Sequence, residues 1–198
     1  MPEAHTGTTP FNARADALLA AARMISLSHD AAANHGALAS TGILTLSPGS
    51  VNTIPGRVRF SLDIRAGTDR IIDKLERHLK ADFDALATFE STRGLELSVS
   101  WKTDSVSPAI RFHDACIKAV CESAAAVLGD GGLSRKMVSG AGHDSVYASR
   151  HCPTSMIFVP SRGGISHNPR EYTSPEDCAM GASVLMQSVL RFDHNRTA

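Results

Sequence analysis

The sharpest pattern in the chain lies at residues 57–65. Val58, Phe60, Leu62 and Ile64 are apolar, and Arg57, Arg59, Ser61, Asp63 and Arg65 between them are polar. A period of two turns one face of a strand toward a core and the other toward water. Residues 38–46 read as a weaker strand, joined to it by the Pro/Gly/Ser/Asn-rich stretch 47–56. Leu95, Leu97, Val99 and Trp101 alternate again. Helical spacing takes over at 72–86, where Ile72, Leu75, Leu79, Phe83 and Leu86 form one stripe behind a Thr68 cap. Ahead of all these, Thr9-Pro10 predicts an alanine-rich helix running to about Leu27, with threonine as cap and proline at the first helical position. The order helix, strand, strand, helix, strand predicts a two-layer α+β unit with two helices on one face of an antiparallel sheet.

Beyond Pro108 the texture changes. A helix is expected over 113–128, with Ile117, Val120, Ala124 and Val127 inward, and the glycine-rich stretch 129–132 ends it. Residues 154–159 are nearly all apolar and do not alternate, which suits a strand buried on both faces, as in a parallel sheet. Ser174-Pro175-Glu176-Asp177 starts a last helix reaching about Phe192. The second half thus reads as part of an α/β domain. Its strand expects neighbours on both sides and the chain supplies few, so exposed apolar surface and association are expected there.

Composition narrows the function classes. The chain has 198 residues, and its 20 Lys plus Arg balance 20 Asp plus Glu. No basic excess marks a nucleic-acid footprint, so no nucleic-acid partner is expected. The cysteines Cys116, Cys121, Cys152 and Cys178 form no C-x-x-C pair, and buried free thiols are expected rather than a disulfide framework. The first apolar run, 17–22, lies among Arg14, Asp16 and Arg23, unlike a signal peptide. No stretch suits a membrane span. The expectation is a cytoplasmic protein.

Candidate chemistry sits on loops. Residues 160–171 link the expected buried strand to the last helix, and α/β sheets bind ligands outside the carboxyl ends of their strands. His167 in that loop reads either as a ligand or acid/base group, or as a surface histidine bonded to backbone. Ser139-Gly140-Ala141-Gly142-His143-Asp144 is a second such loop, where small residues allow close backbone approach and successive amides can cradle an anion. His143 could be oriented by Asp144, or Asp144 could simply cap the next helix. Asn52 and Arg65 could together hold a carboxylate, but Arg65 pairing with a nearby acid is the simpler reading. His5 reads as part of a frayed terminus. G-x-S-x-G, H-E-x-x-H and P-loop signatures are absent.

The motifs together resemble one family. Glu3-Ala4-His5-Thr6-Gly7-Thr8-Thr9-Pro10 with Arg14-Ala15-Asp16-Ala17 resembles the start of the lid segment in N-carbamoyl-L-amino-acid hydrolases. These group with allantoate amidohydrolases and β-ureidopropionases in the M20 metallopeptidase superfamily. Asn52-Thr53-Ile54-Pro55-Gly56 and Phe60-Ser61-Leu62-Asp63-Ile64-Arg65 resemble that family's lid strand. The 139–144 loop and Ile165-Ser166-His167-Asn168-Pro169 with Glu171 resemble its two late active-site loops. The fold implied is α/β: a two-layer α+β lid and dimerisation domain with an antiparallel sheet and two helices over 1–107. The C-terminal part of a metallopeptidase-like catalytic domain follows over 108–198.

The resemblance implies roles for the same residues. His167 matches the last metal ligand. His5, Asn52 and Arg65 match lid residues that reach the partner subunit's site in a homodimer, His5 toward the developing oxyanion and Asn52 with Arg65 toward the substrate carboxylate. Gly140, Ala141 and Gly142 match backbone lining the substrate pocket, with His143 beside them in a role left open. The implied cofactor is a divalent metal pair (zinc, manganese, cobalt or nickel). The implied reaction is metal-assisted hydrolysis of a ureido or amide C–N bond in a small carboxylate substrate, releasing ammonia, and carbon dioxide from carbamoyl groups. The sequence departs from the family in having no counterpart of the earlier metal ligands or of the glutamate general base. Two readings follow: the C-terminal portion of a metal-dependent amidohydrolase, inactive as an isolated chain, or a non-catalytic dimerisation or binding module.

Overall fold

The computed structural model describes residues 3–129 and 132–196. The chain divides into two compact units, Met1–Ala109 and Ile110–Ala198. Mixed helices and short antiparallel ladders make this an α/β chain. Among the described residues no helix is long and apolar enough to cross a membrane.

In the first unit, β1 (Ala4–His5) is followed by a 3-10 turn (Phe11–Ala13) and by α1 (Ala17–Asn34). The expected helix start at Thr9-Pro10 is corrected: Pro10 precedes the 3-10 turn, and the Asp16 side chain accepts the Leu19 amide at 3.0 Å to cap α1. Strands β2 (Leu38–Ser40), β3 (Leu44–Ser47), β4 (Thr53–Ile54), β5 (Arg57–Phe60) and β6 (Asp63–Arg65) come next, and then α2 (Asp69–Arg93). Among the described residues the three pairings are antiparallel: β1 with β4, β2 with β6, β3 with β5.

The expected strands at 38–46 and 57–65 form one interrupted ribbon. Between the two ladders, Thr41, Gly42 and Ile43 face only Ser61 and Leu62, so the ribbon carries a β-bulge. The Ser61 amide donates to the Ile43 carbonyl at 2.9 Å, and its hydroxyl accepts from the Gly42 and Ile43 amides at 3.3 and 3.0 Å. The extra residue resets alternation. Ala39 opposite Ile64 and Leu44 opposite Phe60 share the inner face, although Leu44 lies an odd five positions after Ala39. Leu38, which plain alternation would place with Leu44, points outward beside Arg65 and is 72% exposed.

Helices α1 and α2 cover the inner face. Leu75, Leu79 and Phe83 on α2 and Ala20, Met24, Ala31 and Ala32 on α1 form the core, with Phe60, Leu62 and Ile64 packed against it. The α2 stripe follows the predicted spacing at Leu75, Leu79, Phe83 and Leu86, while Ile71 rather than Ile72 packs on the core at its start. Residues 95–101 differ from expectation, since they join no ladder. Leu97 and Val99 still pack on the core and Trp101 stacks on Phe83 with centroids 5.0 Å apart. The Leu95 and Leu97 amides bond instead to the Arg14 carbonyl and the Ser91 hydroxyl. Alternation here records burial of one face without strand pairing.

The second unit holds α3 (Asp114–Leu128), the short α4 (Asp144–Ala148), a 3-10 turn (Arg162–Gly164) and α5 (Pro175–Arg196). Gly129 closes α3 with φ +65°, while Asp130 and Gly131 of the glycine-rich stretch lie outside the described residues. α3 packs on α5. The buried-strand expectation for 154–159 is corrected, because the segment has no ladder and Phe158 and Val159 are exposed. The expected exposure of apolar surface in this half is observed. Free thiols are also observed, but Cys152 and Cys178 are exposed and Cys116 and Cys121 half-buried, not the buried thiols expected.

The turn that ends α2 sets a packing limit. A Cβ on Gly94 would stand 2.1 Å from the Arg14 carbonyl oxygen, and backbone cannot retreat as a flexible side chain can. Gly94→Ala should therefore lower the unit's stability by about 1–3 kcal/mol. Gly67→Ala, with open space around its Cβ, should change it by less than about 0.5 kcal/mol. Urea unfolding monitored at Trp101 distinguishes the two.

Candidate functional site

The sequence candidates fall in both units. In the first, His5 is not frayed: it pairs with Thr53 across the β1–β4 ladder, and the Thr6 amide donates to the Asn52 carbonyl at 3.0 Å. This short ladder brings His5 and Asn52 together across many residues of sequence. Both are exposed. The His5 ring accepts the Gly7 amide on Nδ1 at 3.1 Å. An Nδ1 that accepts carries no proton, so the neutral ring is the Nε2–H tautomer. The Asn52 Oδ1 accepts from the Ser50 hydroxyl at 2.8 Å and from that of Thr53 at 3.4 Å, which leaves both Nδ2 hydrogens as its donors.

Arg65 lies in the other ladder, opposite Leu38. Its Nη2 and Nε reach the Asp63 carboxylate at 2.7 and 3.1 Å. The guanidinium beside Asp63 holds that carboxyl below the usual carboxylate range, chiefly through the hydrogen bond, and Asp63 in turn raises Arg65. The simpler reading, Arg65 paired with a nearby acid, is what the geometry displays.

In the second unit, His143 caps α4. Its Nδ1 accepts the Ser145 amide at 3.0 Å and lies 3.1 Å from the Ser145 hydroxyl. The partner of His143 is thus Ser145, not Asp144, and the capping role expected of Asp144 belongs to His143. Gly140, Ala141 and Gly142 precede it in an exposed loop, where the Ala141 amide donates to the Ser139 hydroxyl at 3.1 Å.

The His167 loop is closed at its neck. The Arg162 amide donates to the Tyr172 carbonyl at 2.8 Å, and the Arg162 guanidinium sits 4.8 Å from the Tyr172 ring centroid. Such a compact loop with joined ends is a frequent carrier of function. Inside it the Glu171 carboxylate accepts the His167 amide at 3.0 Å, and the Asn168 side chain accepts the Arg170 amide at 2.9 Å. His167 has φ +54°, where non-glycine residues are uncommon and cost on the order of 1 kcal/mol. Sequence reasoning assigned Glu171 no role, though it was part of the motif. Its position four residues after a loop histidine was the available signal.

Among the described residues, no group of three or more His, Cys, Asp or Glu side chains converges as a metal site. A dinuclear centre needs several such ligands, so the described residues do not by themselves fit one. The open groove between α1 and α2, lined by Arg23, Asp30, His78 and Asp82, contains none of the candidates.

The candidates thus lie on the short ladders of the first unit and on two exposed loops of the second, one of which carries a histidine at positive φ. Residues 7–191 match the family model described as Peptidase family M20/M25/M40, and the chain belongs to that family. Within it the chain is similar to the N-carbamoyl-L-amino-acid amidohydrolase of Rhizobium meliloti, at 35% identity over 95% of this chain and 44% of the relative. It is also similar to the allantoate amidohydrolase of Bacillus subtilis (strain 168), at 33% identity over 91% of this chain and 42% of the relative. The crystal structure of a hydantoinase/carbamoylase-family amidase from Burkholderia vietnamiensis superimposes with a TM-score of 0.85 at 36% identity, over 96% of this chain and 45% of that one. The chain therefore spans less than half the length of these relatives.

Two measurements check the local geometry. Long-range 15N–1H NMR should show His5 as the Nε2–H tautomer at pH 8, and an Nδ1–H pattern would contradict the Gly7 contact. The Asp63 carboxylate is stabilised in the folded state, so its contribution is complete above the usual carboxylate range and lost as pH falls through its lowered value. The Arg65 Nε–H resonance should accordingly stay fixed from pH 7 to pH 4 and move only below that.

Proposed function

We propose that this chain supplies the lid and the end of the catalytic domain of an amidohydrolase acting on C–N bonds other than peptide bonds. The substrate class is an N-carbamoyl-L-amino acid, a ureido acid or an allantoate-like molecule. Residues 1–107 form the lid and dimerisation domain, and residues 108–198 form the last part of the catalytic domain. The observation that carries this reading is the match over 7–191, which takes in both late loops and the lid strand motifs with Asn52 and Arg65, and leads to amidohydrolase relatives.

The roles follow from the chemistry of each group. His5, as an Nε2–H donor, suits stabilisation of an oxyanion across a homodimer. Asn52 through its Nδ2, and Arg65 through its fork, suit a substrate carboxylate. Gly140, Ala141 and Gly142 present backbone to the substrate, with His143 alongside. His167 is the metal ligand of this chain, and its strained backbone supports a functional position. Family membership implies a divalent metal in the complete enzyme, zinc, manganese, cobalt or nickel, whose other ligands the described residues do not bring together. We place the protein in the cytoplasm.

The 198 residues alone should turn over N-carbamoyl amino acids no faster than buffer and should bind fewer than two metal ions per chain. Ammonia release assays with elemental analysis test this, and turnover with two bound ions would overturn it. The self-contained core of the first unit favours one alternative, a non-catalytic dimerisation or binding module. A monomer by light scattering at micromolar concentration would count against that alternative.

A further inference from the structure

Helices α1 and α2 pack against each other in the first unit, and one histidine from each meets the other. The rings of His35 and His78 stand 5.1 Å apart between centroids and are tilted by 53°. His35 is half-buried and caps the C-terminal end of α1. His78 and Asp82 line the open groove between the two helices. None of the candidate residues takes part.

Hydrogen bonding fixes the proton on each ring. The His35 Nδ1 lies 2.8 Å from the Ala31 carbonyl oxygen. A carbonyl only accepts, so Nδ1 donates and the neutral ring keeps its lone pair on Nε2. The His78 Nε2 lies 3.1 Å from an Asp82 carboxylate oxygen, one helical turn on. A carboxylate also accepts, so this ring donates from Nε2 and keeps its lone pair on Nδ1. Both N–H groups are spent within their own helices, and the two adjoining rings have only acceptors left. Two acceptors cannot bond to each other, whereas a Lewis acid satisfies both at once.

We propose that His35 Nε2 and His78 Nδ1 form a two-histidine site for a divalent transition-metal ion, with water in the remaining positions. The spacing supports it. Two imidazoles on one tetrahedral ion, with metal–nitrogen bonds of about 2.1 Å, hold their centroids roughly 5 Å apart, and the observed 5.1 Å agrees. The outer partners support it independently. A metal-bound histidine donates its other N–H to a backbone carbonyl or a carboxylate, which sets its tautomer and raises its basicity. His35 has the Ala31 carbonyl in that place and His78 has the Asp82 carboxylate. Imidazole nitrogens select zinc, nickel or copper over magnesium and calcium, which prefer oxygen. Two protein ligands make a smaller set than the three-ligand clusters absent among the described residues, and the open groove admits water to the other positions. A bound ion ties the end of α1 to the first half of α2 and stabilises the folded unit by mass action. The site is independent of the amidohydrolase reading, because neither ligand belongs to the proposed catalytic groups.

The test uses the full 198-residue chain carrying His167→Ala, so that the metal ligand proposed for the second unit cannot contribute. Calorimetric titration with zinc should give one ion per chain. The ring signals of His35 and His78 should move in long-range 15N–1H spectra while those of His5 stay fixed. Saturating zinc should raise the urea midpoint read at Trp101, and magnesium at the same concentration should not. His35→Gln and His78→Gln should each weaken zinc binding at least tenfold. Asp82→Ala, which leaves both ligands in place, should weaken it about tenfold. Ring signals of His35 and His78 that stay unmoved at saturating zinc, in the chain with both histidines intact, would overturn the proposal. So would a zinc affinity unchanged by the two glutamine substitutions, or an equal response to magnesium.

Discussion

Backbone amides and carbonyls taken out of water must find partners, and this demand organises both units. In the first, the ribbon of β2, β3, β5 and β6 meets it internally, and where the ladder breaks the Ser61 hydroxyl stands in for a strand. Once that ribbon is closed it offers one apolar face, and α1 and α2 lie on it. In the second unit the segment 154–159 has inner-strand composition without inner-strand hydrogen bonds. Its buried hydrophobics among the described residues are Ala119, Ala124 and Val184, while Leu185, Met186, Val189 and Leu190 of α5 stay exposed.

The candidate residues depend on short-range versions of the same bonding. His5 is set by the Gly7 amide, His143 by the Ser145 amide, and the backbone of His167 by the Glu171 carboxylate. In each case one contact within four residues orients the residue and leaves it exposed. Both histidines whose Nδ1 accepts a backbone amide, His5 and His143, are left with Nε2 as donor. Arg65 differs, because its fork is already engaged by the Asp63 carboxylate.

Much of this was legible in the sequence where a local period reports a local face. The α2 stripe from Leu75 to Phe83 translates directly into buried positions, and the alternation of 57–65 into half-buried ones. The start of α1 was misread because Thr9-Pro10 has the chemistry of a helix start and instead opens a 3-10 turn. Residues 95–101 show why alternation does not establish a strand, since it reports burial of one side and is silent about hydrogen bonding. His5 was dismissed because its partner, Thr53, is distant in sequence and a two-residue ladder leaves no periodic trace. The candidate site residues were singled out through an ordered set of motifs, and Glu171, four residues after His167, belonged to one of them without being given a role.

The bulge at 41–43 makes the register of the ribbon behave like a reading frame. Three residues there oppose two, and that odd count turns Ala39 rather than Leu38 toward the helices. Removing one residue would invert the whole arm that precedes it, exchanging its wet and dry sides while leaving every residue beyond it undisturbed. Removing or adding two would restore the parity. Length variation at this point of the fold is therefore permitted in steps of two, a constraint on insertions and deletions that no single side chain reveals.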